Sequence, residues 1–116
     1  MTVLTESIHV GEFLLSEAPG FYSRDVGVVT VSGATKWLSG TLLGKITATG
    51  KYIKYLNGAS DGSEVVAAIL LNELNPVAGD IKATLITRDA EVIGAKLTGS
   101  DAPGLVDLAA RGIVVR

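Results

Sequence analysis

A chain of 116 residues with ten Lys and Arg against twelve Asp and Glu has the size of one domain and offers no broad cationic surface for nucleic acid or anionic lipid. The absence of cysteine and the single histidine exclude a disulfide framework, a thiolate nucleophile, a Cys-based zinc site and an imidazole metal cluster. With 47 % hydrophobic residues but only 5 % aromatic and 19 % charged, the core has to be built from Val, Ile, Leu and Ala, and wholesale disorder is disfavoured.

Residues 1–20 differ in kind from the rest. Thr2 to Phe13 mixes single apolar residues with Thr, Ser, Glu and His and shows no sustained period, so it reads as an extended arm or as a frayed terminus. Val10, Phe13, Leu14 and Leu15 are unusually apolar for a free tail, and such a segment can fold onto a partner by adding a strand to its sheet edge. Glu6, Glu12 and Glu17 precede any Lys or Arg, the wrong polarity for a signal peptide, so synthesis in the cytosol is expected. Residues 21–116 form the single domain. The fourteen glycines of the whole chain, about 12 % against a usual ~7 %, fall singly between short apolar segments and read as punctuation between strands.

Strands are predicted over Val26–Val31, Thr41–Thr49 and Lys51–Leu56, ending at Ser32-Gly33, Gly50 and Asn57-Gly58. Between the first two, Trp37 is a core residue, a subunit contact or a partner anchor, since tryptophan is enriched at interface hot spots; it is the candidate oligomer-interface residue. Val65–Leu71, the longest wholly apolar run, has seven residues. It is far short of the ~20 needed to cross a bilayer and reads as a strand buried on both faces, with a short helix as the alternative. Ile81, Ala83, Leu85 and Thr87 alternate with Lys82, Thr84, Ile86 and Arg88, the clearest half-buried strand. One helix is predicted: Ser100 or Asp101 caps it, Pro103 lies in its first turn, and Leu105, Leu108 and Ala109 share a face. Arg111 falls in the last turn, and Gly112 takes the left-handed conformation that ends the helix before Ile113–Arg116 resumes extended. The expected fold is α+β, mainly β: a compact single domain of short strands, a short C-terminal helix and an extended N-terminal arm.

Catalytic patterns fail on context. Gly58-Ala59-Ser60-Asp61-Gly62 matches a nucleophile elbow in form, but the only histidine, His9, precedes it, and a Gly-Asp-Ser turn explains it. Gly44 to Lys51 has five residues between its glycines where a P-loop has four, and Tyr52 stands where Ser or Thr would hold magnesium. Asp61 with Glu64 and Asp89 with Glu91 are possible acid–base pairs, yet the first lies in a turn and the second in what reads as an ion-paired corner after a strand. No catalytic residue, metal site or cofactor is expected.

The order of the segments resembles the head decoration proteins of tailed phages, the lambda-type capsid-stabilising proteins. The residues that carry the likeness are Ser23-Arg24-Asp25, Leu38 to Ile46, and Asp61 to Glu64 leading into Ala67 to Leu70. Ala78 to Asp80 with Lys82-Ala83, Arg88 to Val92, and the closing Leu108 to Arg116 continue it. Together they span about residues 13 to 116. The resemblance implies a non-enzymatic cement made in the bacterial host's cytoplasm. It implies a homotrimer on the outer surface of the expanded virion head, bound to the major capsid protein and not to nucleic acid or membrane. It implies too that the N-terminal arm, with Val10, Phe13, Leu14 and Leu15, orders against the capsid. A small β-rich adaptor for a protein or glycan shares the glycine-punctuated strands, but six aromatics give few platforms for sugar rings.

Overall fold

The computed structural model describes residues 11, 13–17, 23–31, 36–75 and 79–116. Two long strands set its frame: β2 (Arg24–Val31) and β6 (Gly79–Ile86) run antiparallel, from Arg24 opposite Ile86 to Val31 opposite Gly79. Because side chains alternate across a strand, Val29, Val31, Ala83 and Leu85 point to one side, where they are buried, while Val26 and Lys82 point to the other and are exposed. Between these strands the sheet closes through β3 (Leu42–Lys45), β4 (Tyr52–Lys54) and β5 (Val66–Leu70), giving a barrel in the order β2, β4, β3, β5, β6. The seam is a short parallel contact, Val29 opposite Tyr52. A barrel this small is filled by its own side chains, and Val29, Val31, Trp37, Leu43, Leu70 and Leu85 are among those that fill it.

A second layer covers one wall of the barrel. It is a three-stranded sheet of β1 (Leu14–Glu17), β7 (Ala90–Val92) and β8 (Ile113–Val115) in the order β1, β7, β8. β1 pairs antiparallel and β8 parallel with β7. Parallel neighbours need a crossover, and here a 3-10 turn at Gly94–Lys96 and helix α1 (Ala102–Ala110) supply it. Phe13, Leu42, Ile69, Ile86, Val92 and Leu108 are central to the second core.

The wall shared by the two cores explains the run at Val65–Leu71. β5 sends Ala68 and Leu70 into the barrel and Val66 and Ile69 into the second core, so a strand apolar on both faces is required. Gly44, opposite it, lies so close to Ser63 that a methyl group there would meet the Ser63 backbone. The helix is as its sequence signals indicate: the Asp101 side chain accepts from the Gly104 N–H at 2.8 Å, Pro103 lies in the first turn, and Gly112 has φ 76°. Three details differ from the pattern. Ile86, on the row expected to be mostly polar, is buried because the second sheet covers that end of β6. The corner expected at Arg88 to Glu91 is confined to Arg88 and Asp89, where Asp89 has φ 48°, and the chain is already a strand from Ala90. The expected strand at Thr41–Thr49 shortens to β3 because Thr47 to Gly50 turn the chain, and that at Lys51–Leu56 shortens to β4, which pairs with β3 over Tyr52–Lys54.

Candidate functional site

The residues considered for chemistry are occupied by turn architecture. Asp61 accepts from both the hydroxyl and the N–H of Ser63, and these bonds, the hydroxyl's first, hold its pKa below the usual carboxylate value. Glu64 accepts from the Gly62 N–H at 2.8 Å. Ser60 is exposed in the loop between β4 and β5, so the strand-turn-helix setting of a nucleophile elbow is absent there. Gly44 to Lys51 spans a β-hairpin closed by Ile46 N–H to Lys51 C=O at 2.8 Å, not a loop opening a helix. Arg88 pairs with Asp25, which also accepts from Thr87, and Glu91 pairs with Arg116 at 3.3 Å. His9 lies outside the described residues.

The expected contact segment is partly built into the fold. Gly11 donates to the Ser39 hydroxyl at 2.8 Å, Ser39 donates to the Leu71 carbonyl at 2.8 Å, and Ile93 donates to the Phe13 carbonyl at 2.7 Å. Phe13 is 0 % exposed in the second core and Leu14 packs against that core, whereas Leu15 is 50 % exposed. Glu17 takes a forked ion pair from Arg24 and a bond from Ser23, tying β1 to β2. The Arg24 bond chiefly lowers the Glu17 pKa. Phe13 therefore anchors the segment's root, and Val10 lies outside the described residues. Trp37, 2 % exposed, exchanges backbone bonds with Leu74 at one end of the barrel, and the Lys54 ammonium lies 4.8 Å from its ring centre.

The surface least like an ordinary one is α1. Its one charged residue, Asp107, is turned inward and accepts from the Val66 N–H at 3.0 Å. One turn later the Arg111 Nε donates to the Val66 carbonyl at 3.2 Å. Asp101 accepts from the Tyr55 hydroxyl at 2.8 Å; burial first, and then this carboxylate, pushes the Tyr55 pKa up to about 12. These bonds fix the helix about its axis so that Leu108 enters the core while Ala102, Pro103, Leu105, Val106, Ala109 and Ala110 are all exposed. Leu105 and Ala109, expected to share the buried face with Leu108, instead line an apolar groove of about 450 Å³ with Gly112, Ile113, Val114 and Val115. Composition alone carried a signal for this, since a nine-residue helix with one charge has no polar face to give to water.

Among comparisons with known proteins, a family model described as bacteriophage lambda head decoration protein D matches residues 3–113. No match was found among curated proteins. The chain belongs to the lambda head decoration protein family, whose name gives it a structural, capsid-decorating role on the phage head.

Proposed function

We propose that this member of the head decoration family is a cement protein. It binds the outer surface of the expanded phage head as a homotrimer, bridges copies of the major capsid protein and holds the shell against the pressure of packaged DNA without catalysing a reaction. The observation that carries this reading is the family match over residues 3–113. Binding energy becomes mechanical resistance when one clamp joins neighbouring shell subunits. A stable interface buries roughly 1,200–2,000 Å² in all, so a chain of 116 residues commits much of its surface to its partners.

In this reading residues 1–20 form the capsid contact and 21–116 the decoration domain. Phe13 fastens the root of the contact in the second core, Leu14 and Leu15 lie where β1 leaves that core, and Val10 belongs to the part beyond it. Trp37 serves the trimer from within, by keeping one end of the barrel filled.

The test is co-sedimentation of purified protein with mature undecorated heads and with unexpanded proheads. Saturation on expanded heads near about one copy per capsid subunit is expected, as a three-fold oligomer on three-fold positions requires. Absence of binding to either particle would end the cement reading.

A further inference from the structure

We infer that the outer face of α1, together with the groove between α1 and β8, is covered in the working assembly by a second copy of this chain. The inference deepens the homotrimer reading and rests on it for the ring geometry. A helix apolar on every side belongs in an interior, and α1 is such a helix once Asp107 is turned toward Val66. Val106 is 70 % exposed, Leu105 38 %, and Val114 on the neighbouring strand 45 %. Contiguous exposed apolar surface of this kind marks an interaction site.

Three observations choose the occupant. β8 and β1 are opposite edges of the same sheet, so the α1 face lies on the other edge from the segment proposed to meet the capsid. The helix carries an exposed acid, Asp101, at its start and an exposed base, Arg111, just past its end. A head-to-tail ring of copies therefore brings the Arg111 end of one helix to the Asp101 end of the next, and with the three-fold rotation of the proposed trimer such a contact closes into a ring where another rotation would run on as a filament. Finally, an all-apolar face left bare in the free protein is a site for aggregation, which pairing between copies removes.

The absence of cysteine allows a direct test. A photoreactive benzophenone maleimide is attached to an Ala110→Cys variant, and to Ala48→Cys on the exposed β3–β4 turn as a control. Each is illuminated in solution and on undecorated heads. The expected product at position 110 is a covalent pair of copies, twice the 12.0 kDa chain mass, with little at position 48. Adding Val106→Glu should lower its yield about tenfold or more, since a buried unpaired carboxylate costs at least the equivalent free energy. Position 106 is exposed in the single chain, so the circular dichroism spectrum should not change and only the stability contributed by pairing should be lost. An adduct to the capsid subunit alone, no adduct on heads that nonetheless carry the protein, or equal yields at positions 48 and 110 would each overturn the inference while leaving the cement reading standing. A copy-to-copy adduct in solution from protein that does not sediment with heads would support the inference and count against the cement reading.

Discussion

Trp37 and Tyr55 show how single residues carry the fold. Trp37 fills one end of the barrel at 2 % exposure, between Leu74 and the chain of Lys54, so Trp37→Ala opens a large cavity. Truncating a buried aromatic costs about 3–5 kcal/mol, a large part of the roughly 5–15 kcal/mol that holds a domain together. The urea midpoint should fall accordingly, and a loss below about 1 kcal/mol would place the ring outside the core. Tyr55→Phe removes the bond to Asp101 and should cost about 1–2 kcal/mol at neutral pH. Its pH dependence has a definite sign. The folded state raises the Tyr55 pKa from 10.0 to about 12, so the unfolded chain loses that proton first. The stability linked to the neutral phenol is whole below about pH 10 and is lost as pH rises toward 12. The difference in thermal midpoint between wild type and Tyr55→Phe should stay constant from about pH 6 to 9 and narrow above 10. A difference that widened there would contradict the assignment.

At the scale of elements, α1 and β1 were legible to different degrees, for different reasons. The signals that make α1 are local: Asp101 at the cap, Pro103 in the first turn and Gly112 past the end were readable from residue types alone. Its rotation was not, because that depends on Asp107 and Arg111 reaching Val66 about forty residues earlier in the chain. β2 was legible as a β-branched run closed by Ser32-Gly33, and β6 as an alternation of apolar and polar residues that only Ile86 interrupts. β1 and β7 are four and three residues long, too short for a period to declare itself, and β1 carries a bulge between Leu14 and Ser16. Phe13 was visible as an apolar residue, but not that its own chain buries it. That burial sets an expected outcome for truncation. Removing residues 2–10 should abolish head binding while Phe13 and β1 stay in place. Removing residues 2–15 should also take away Phe13 and half of β1, at a cost of at least the ~3–5 kcal/mol of a buried Phe. Equal midpoints for the two truncations would show that Phe13 is not a core residue. For α1, Asp107→Ala leaves the buried Val66 N–H without its acceptor and should cost about 1–3 kcal/mol, read as a lower urea midpoint with unchanged slope.

Taken as a whole, the molecule is two cores joined through one wall, with carboxylates bridging the outside. Glu17 ties β1 to β2 through Arg24, Asp25 ties β2 to the end of β6 through Arg88, and Asp80 ties β6 to the start of β4 through Lys51. In each the pKa lies below the ordinary value of its carboxyl group. The main causes are Arg24 for Glu17 and Lys51 then Thr30 for Asp80; for Asp25, burial pushes upward but Arg88 and Thr87 together outweigh it. A carboxylate whose folded pKa is depressed lends stability that is complete above its unfolded value and is lost as pH falls through the folded one. The thermal midpoint should therefore be nearly flat from about pH 8 to 5 and drop below about pH 4. Because these side chains are partly solvated, each pair contributes at most the modest amount of a surface ion pair. The drop should thus come from several sites titrating together. Glu17→Gln and Asp80→Asn should each lower the midpoint slightly at pH 7 and make the acid limb shallower, and the double variant should add the two effects, as separate bridges do. A wild-type midpoint unchanged from pH 6 to pH 3 would mean that the two cores alone set the stability and the bridges around the barrel contribute nothing.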